Sequence, residues 1–157
     1  MIANRFEEVT VLFADIVSFT SLAACVPPHE LVKQLNQIFS LFDHLADCYG
    51  LEKIKTIGDA YMVVGGLPTP MEDHAAAIAN MALAMQSRIG EFKRNDGQPF
   101  QLRIGIHTGP VVAGVIGIRK FIYDLWGDTV NVASRMEAKG DSDGIQVTTA
   151  VYDLLKD

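Results

Sequence analysis

The chain has 157 residues, of which 49% are hydrophobic and 20% charged, a composition typical of one globular domain rather than a disordered segment. Its 13 basic and 19 acidic residues give a net charge of −6, which excludes a chain-wide basic surface for nucleic acid or anionic lipid. Cys25 and Cys48 show neither CxxC spacing nor a histidine cluster, which argues against a disulfide scaffold or zinc site and favours a reducing, cytoplasmic compartment.

Hydrophobic periodicity and turn residues divide the chain into ten predicted elements. In chain order they are a strand at 8–14, a helix at 30–49, strands at 51–57 and 61–64, a helix at 71–94, strands at 100–107 and 111–118, a helix at 129–138 after Asp128 as its cap, a strand at 145–148 and a helix from 149. Residues 108–110 (Thr-Gly-Pro) are expected to join the sixth and seventh elements. The order β-α-β-β-α-β-β-α-β-α predicts an α+β sandwich with helices on a mostly antiparallel sheet, close to the ferredoxin-like or split βαβ pattern.

Two aspartates lie where predicted strands end. Asp15 follows the apolar run 8–14, and Asp59 occupies the predicted hairpin turn. Either aspartate alone is an ordinary turn residue. If the first strand lies beside the hairpin in the sheet, both carboxylates lie at one end of it. Two hard oxygen donors of this kind suit Mg²⁺ completed by substrate phosphates.

Four other polar residues stand out by position, and the residues alone leave their roles open. Lys55 alternates with Lys53 on one face of its predicted strand, where a lysine is as readily a solvated side chain as a ligand. Asp124 is a lone charge in an aromatic and aliphatic strand, so it needs a partner. Asn131 and Arg135 are four residues apart and share one face of a helix.

Five segments in order carry a more specific signal than any single residue. They are 11–20 (VLFADIVSFT), 52–62 (EKIKTIGDAYM), 105–111 (GIHTGPV), 123–128 (YDLWGD) and 129–136 (TVNVASRM). Together they resemble the catalytic domain of the class III nucleotidyl cyclases, and more closely its adenylyl branch. The resemblance implies one such domain over residues 1–157 and an enzyme that converts ATP to 3′,5′-cyclic AMP and pyrophosphate.

The resemblance also implies roles for individual residues. Asp15 and Asp59, with the main-chain carbonyl of Ile16, would bind two Mg²⁺ or Mn²⁺ ions that assist in-line attack of the ribose 3′-hydroxyl on the α-phosphate. Arg135 would stabilise charge on the transition state, and Asn131 would orient the ribose. Removal of a preorganised donor of this kind typically costs about 10²–10³ in rate.

Substrate recognition is implied at three further positions. Arg119 matches a family position that contacts the terminal phosphates. Lys55 and Asp124 match the base-selecting pair, since a lysine donor and a carboxylate acceptor satisfy the N1 acceptor and N6 amino group of adenine. Guanine offers one donor and one acceptor in swapped positions, so the order within the pocket decides. In guanylyl cyclases the position of Lys55 is typically Glu and that of Asp124 typically Cys or another small residue, and ATP is therefore the expected substrate.

In this family each active site forms between two chains. This chain carries both halves, which implies a homodimer with two shared sites. The family domain usually continues into strands that bring a triphosphate-binding lysine, and that lysine has no counterpart before Asp157, so a domain truncated at its C-terminus is expected. A catalytically silent regulatory nucleotide-binding domain and a guanylyl cyclase are the alternatives. The chain is expected to be cytoplasmic, alone or as the cytosolic part of a larger or membrane-bound protein.

Overall fold

The computed structural model describes residues 2–17, 19, 26–67, 69–93, 100–116, 122–138 and 144–155. Among them lie six strands and four helices. The strands are β1 (Ile2–Ile16), β2 (Glu52–Ile57), β3 (Ala60–Gly65), β4 (Leu102–Ile116), β5 (Ile122–Trp126) and β6 (Ile145–Val147), and the helices are α1 (Pro28–Cys48), α2 (His74–Ile89), α3 (Asp128–Ala138) and α4 (Thr149–Leu155). Within these described segments, no helix combines the length and the apolar character needed to cross a membrane.

The six strands form one mixed sheet. Its order is β2-β3-β1-β4-β5, and β6 pairs in parallel with the first half of β4. The other four strand pairs are antiparallel. The order β2-β3-β1-β4, with α1 and α2 as the two long connections, is the split βαβ arrangement, so the predicted fold class is confirmed.

The sheet is buried on both faces, and each face has its own hydrophobic cluster. Along β1, Leu12 and Ala14 belong to the first cluster, which packs against α1 and α2. Val11 and Phe13 belong to the second cluster, which also contains Ala133 of α3. Burial on both faces explains why residues 9–14 of β1 are nearly all apolar rather than alternating with polar residues.

Proline and glycine set the boundaries in the first half of the chain as predicted. Pro28 is the first residue of α1, where its missing N–H costs no hydrogen bond. After that helix, Gly50 has a φ of 69°, and in the turn between β2 and β3 Gly58 has a φ of 58°. Both values lie in the left-handed region that glycine adopts most readily. The predicted hairpin is confirmed, with Gly58 and Asp59 as its two-residue turn.

The prediction that residues 108–110 join two strands was wrong, because β4 runs through them as one strand. The predicted turn rested on Gly109 and Pro110. Two residues of β1, Glu7 and Glu8, lie opposite Pro110 alone and form a β-bulge. Proline has no N–H to donate to a ladder, and the bulge lets the pairing continue past it. The second strand of this region is β5, which pairs with the last residues of β4.

The prediction that Lys53 and Lys55 share one face of β2 was also wrong. The register with β3 shifts between them, so that Lys53 lies opposite Val63 and Lys55 opposite Met62. Val63 belongs to the first cluster and Met62 to the second. The irregularity at Ile54 therefore sends the two lysines to opposite faces of the sheet, which a strict period of two does not predict.

Helix α3 begins one residue earlier than predicted, at Asp128 rather than at residue 129. Asp128 lies inside the first helical turn, after Gly127, rather than at the cap itself. An acidic residue there still interacts favourably with the positive end of the helix dipole. The predicted end of this helix at Lys139 and Gly140 lies outside the described residues.

Candidate active site

The carboxylates of Asp15 and Asp59 lie at the same end of the sheet. Asp15, the penultimate residue of β1, pairs with Ala60, and Asp59 directly precedes Ala60 in the hairpin turn. Burial raises the pKa of the Asp59 carboxyl, and the negative charge of Asp15 adds to the rise. The two carboxylates are therefore close enough to interact, as expected for a first strand that lies beside the hairpin.

The oxygen donors at this end of the sheet suit Mg²⁺ or Mn²⁺. Besides the two carboxylates, the main-chain carbonyl of Ile16, the last residue of β1, is an oxygen donor at this end, and all three groups are hard ligands. Among the residues that the structure describes, no three His, Cys, Asp or Glu side chains converge as a metal cage. A divalent ion would complete its coordination with water and substrate phosphates, which is how Mg²⁺ is usually held. The donor set thus fits a phosphate-bridging cation.

Arg103 of β4 is the positively charged side chain beside Asp15. The two residues lie directly opposite each other in the antiparallel pair of β1 and β4. The Arg103 Nη2 atom donates to Asp15 Oδ2 at 3.2 Å, and its Nε donates to Oδ1 at 3.4 Å. Arg103 was not predicted from the sequence, although it is a lone charge in an apolar strand, the same signal that singled out Asp124.

Glu137 of α3 adds a buried carboxylate to this group. The residue is only 9% exposed, and its Oε1 atom has no hydrogen-bond partner in the described part of the chain. That atom lies 3.9 Å from Arg103 Nε. Burial, followed by a hydrogen bond to Asp15 and the charge of Asp15, raises the pKa of Glu137 to about 8. Glu137 was also missed, although it lies four residues after Ala133 and so belongs to the buried face of the helix.

Close packing of α3 on β4 brings Glu137 to the carboxylates. A Cβ atom on Gly105 would lie 2.6 Å from the Cα atom of Glu137, and one on Gly109 would lie 2.5 Å from Thr129 Oγ1. No real side chain tolerates such contacts without movement of its neighbours. The helix can approach the strand this closely only because both positions are glycine.

Lys55 and Asp124 form a second polar pair. Lys55 Nζ donates to Asp124 Oδ2 at 2.8 Å, and Asp124 Oδ1 accepts the N–H of Leu125, also at 2.8 Å. The pair joins β2 to β5, which are the two ends of the strand order. Four strand spacings of about 4.8 Å would hold these strands roughly 19 Å apart in a flat sheet. The sheet therefore curls around the second cluster until its two edges meet.

Asn131 and Arg135 lie on the opposite side of α3 from Glu137. Both residues are exposed. At about 100° per residue, Glu137 lies about 200° around the helix from Arg135. Within the described ranges, neither Asn131 nor Arg135 has a side-chain hydrogen bond or ion pair. One chain thus does not bring the Asn131–Arg135 pair together with Asp15 and its neighbours. Arg119, which was predicted to contact phosphates, lies outside the described residues.

Comparison with known proteins identifies the family. The model of the adenylate and guanylate cyclase catalytic domain matches residues 1–157. An adenylate cyclase of Mycobacterium tuberculosis (strain ATCC 25618 / H37Rv) is 52% identical over 157 residues, which are 100% of this chain and 35% of that protein. Guanylate cyclase soluble subunit beta-2 of Rattus norvegicus is 46% identical over 155 residues, which are 98% of this chain and 23% of that protein.

A solved structure agrees with this assignment. The catalytic core of a rhodopsin-guanylyl cyclase with converted specificity, in complex with ATPalphaS, superposes with a TM-score of 0.93 at 40% identity, covering 98% of this chain and 84% of that chain. The similar proteins include both adenylate and guanylate cyclases, so the similarity identifies a family and not a nucleotide. The resemblance in the sequence is confirmed: this chain belongs to the class III adenylate and guanylate cyclase catalytic-domain family.

Proposed function

We propose that this domain is an adenylyl cyclase that converts ATP to 3′,5′-cyclic AMP and pyrophosphate. The observation that supports ATP is the pairing of Lys55 with Asp124. The Lys55 ammonium has three N–H donors, of which Asp124 uses one, and Asp124 Oδ2 can accept a further hydrogen bond. A donor for N1 and an acceptor for the N6 amino group therefore lie side by side, and Lys55 and Asp124 are the residue types that the resemblance associates with adenine.

The phosphate end of the substrate is assigned to the carboxylate end of the sheet. Asp15, Asp59 and the Ile16 carbonyl would hold two divalent cations, which supply Lewis-acid stabilisation when bound. In the reaction the ribose 3′-oxygen bonds to the α-phosphorus and loses its proton to water. The bond from the α-phosphorus to the bridging oxygen breaks, and pyrophosphate leaves with the bonding electrons. Arg119 is proposed to contact the terminal phosphates on the strength of the resemblance alone.

Asn131 and Arg135 are proposed to act on the substrate held by a second copy of the chain. Arg135 is exposed and has no partner among the described residues of its own chain, so its N–H donors are available for the charge that develops on the α-phosphate. Asn131, one turn earlier, would orient the ribose. Both side chains lie on the side of α3 away from their own carboxylates, which supports a two-fold symmetric homodimer with two shared sites.

A guanylyl cyclase is the second candidate. The 46% identity to a guanylate cyclase subunit is the observation that favours this candidate, whereas Lys55 and Asp124 argue against it. The two candidates differ in the base they accept and share every other element of the site.

The experiment is production of cyclic nucleotide from ATP and from GTP, with Mg²⁺ and with Mn²⁺, over a series of protein concentrations. We expect cyclic AMP, with a specific activity that rises with concentration as dimers form, and no product from an Asp59→Asn control. Cyclic GMP as the main product would overturn the choice of ATP. No product from either nucleotide, from folded and dimeric protein, would favour a silent nucleotide-binding domain.

A further inference from the structure

The arrangement around Asp15 leaves one buried acceptor unused. Glu137 Oε1 is shielded from solvent, has no hydrogen-bond partner among the described residues, and lies 3.9 Å from Arg103 Nε. An unsatisfied buried polar atom of this kind costs about 1–3 kcal/mol of stability. A glutamine or an apolar side chain would fill the same space at a smaller cost. We therefore expect the Glu137 carboxyl group to have a role in another state of the site.

Arg103 lies almost midway between two carboxylates. Its Nε is 3.4 Å from Asp15 Oδ1 and 3.9 Å from Glu137 Oε1. Charge-assisted hydrogen bonds of this type are normally about 2.7–2.9 Å long, so neither distance is optimal for Nε. A movement of about 1 Å would bring the guanidinium to hydrogen-bond distance of Glu137. The side chain of Arg103 is 34% exposed, which leaves room for that movement.

We infer that Glu137 is a positioning residue that takes Arg103 from Asp15 when Asp15 binds a divalent cation. This inference rests on the cation site of the proposed function. With its oxygens engaged by a cation, Asp15 no longer accepts from Arg103 or from the Glu137 carboxyl group, and the guanidinium turns to Glu137 Oε1. Glu137 thus supplies the alternative partner that makes Asp15 available, without itself touching the cation. Gly105 allows this, because it lets the backbone of α3 at Glu137 rest directly on β4.

The test is equilibrium binding of Mn²⁺ alone to the 157-residue chain without nucleotide, with free Mn²⁺ quantified by electron paramagnetic resonance. Glu137→Gln is expected to weaken binding about tenfold, because Arg103 then keeps Asp15 as its only carboxylate partner. In an Arg103→Gln background, which removes the competitor, Glu137→Gln is expected to have no effect. Glu91→Gln is the matched control, since Glu91 also pairs with an arginine, Arg88, but on the surface.

The outcomes separate this inference from the proposed function. An equal loss from Glu137→Gln with and without Arg103 would mean that Glu137 attracts or binds the cation itself and would overturn the positioning role. No loss in either background would overturn it as well. If Asp15→Asn binds Mn²⁺ as tightly as the unaltered chain, the cation site of the proposed function fails, and this inference with it.

A measurement on the unaltered chain covers the case that Glu137→Gln does not fold. The Nε–Hε resonance of Arg103, identified by its absence in Arg103→Lys, is followed while Mg²⁺ is added. We expect the resonance to shift and to stay protected from exchange with water, because the carboxyl group of Glu137 replaces that of Asp15 as its partner. Loss of the resonance to rapid exchange would show that Arg103 is released to solvent, and would overturn the inference.

Discussion

Lys55 and Asp124 lie 69 residues apart in sequence, on opposite edges of the sheet, and a hydrogen bond of 2.8 Å joins them. One contact therefore joins the two edges of the curled sheet, and in the proposed function it also presents a donor and an acceptor to a purine base. The proposed function thus links stability to base preference at this pair, because neither residue can change without leaving the other beside an unsuitable partner.

The first prediction concerns Lys55→Glu. The substitution places a carboxylate opposite Asp124, and the repulsion should lower the free energy of unfolding by about 1 kcal/mol after allowance for solvent screening. For a domain of this size the melting temperature should fall by roughly 2–4 °C. Adding Asp124→Cys should restore most of the loss and move the preference from ATP towards GTP. Calorimetry and the ratio of the two turnover rates measure these effects.

Lys53→Glu is the matched control for that experiment. Lys53 lies on the same strand and pairs with Asp43 at 3.2 Å, but on the other face of the sheet. The Lys53→Glu variant should lose a similar amount of stability and keep the ratio of ATP to GTP turnover of the unaltered chain. A change in that ratio from Lys53→Glu, or none from the Lys55 and Asp124 pair, would remove the pair from the base pocket.

The second prediction tests the shared site by mixing inactive variants. Asp15→Ala and Arg135→Ala should each be nearly inactive, and their mixture should regain about a quarter of the full activity. Half of the dimers formed at random are mixed, and each mixed dimer retains one intact site of two. A mixture of Asp15→Ala with Asp59→Ala should regain nothing, because every site then lacks one carboxylate. Recovery in both mixtures, or in neither, would contradict the shared arrangement.

The third prediction concerns pH and metal-free protein. The folded chain holds the pKa of Glu137 at about 8, above its ordinary value of 4.5. Between these two values the folded chain retains a proton that the unfolded chain has lost, so stability falls as pH rises through this window. Glu137→Gln should remove that slope and gain stability relative to the unaltered chain from pH 5 to pH 8. Denaturant unfolding in EDTA at several pH values measures the difference. Parallel curves for the two proteins would contradict it.

The fourth prediction concerns the packing of α3. Gly105→Ala would force the helix away from β4, because the new Cβ would lie 2.6 Å from the Cα atom of Glu137. We expect a loss of about 1–3 kcal/mol, as for other overpacked sites, together with a large loss of cyclase activity. Gly90→Ala is the control, since a Cβ there meets no atom within 4 Å, and it should leave both quantities unchanged. Equal behaviour of the two variants would show that the contact at Gly105 does not position the helix.

The fold was largely readable from the sequence because its signals are local. Pro28 and Gly50 delimit α1, and the apolar run of β1 needs no knowledge of its neighbours. The errors came from pairing between strands. In the sequence alone, Pro110 indicates a turn. Its place within a strand depends on the bulge at Glu7 and Glu8, because the irregular pairing of the partner strand accommodates the N–H that proline lacks.

In the candidate site, too, the residues whose positions were predicted correctly were those with a local signal in the sequence, and the residues missed were those placed by contacts between distant segments. Asp15 and Asp59 were expected at one end of the sheet on the condition that the first strand lies beside the hairpin, since a strand end and a hairpin turn are visible in sequence. Arg103 and Glu137 were missed because they owe their position to each other and to Asp15, across β1, β4 and α3. A rule that treats any charge on a buried face as part of a site would have found both.

Helix α3 borders two different regions. Its inner side carries Glu137 against Arg103, and its outer side carries Asn131 and Arg135. In the proposed dimer, one side of each helix thus serves the reaction centre of its own chain and the other side that of the second chain. Arg135 and Glu137 are only two positions apart, so a tilt or rotation of this short helix moves a group in both centres together. We therefore expect a movement at one reaction centre to be transmitted to the other through α3.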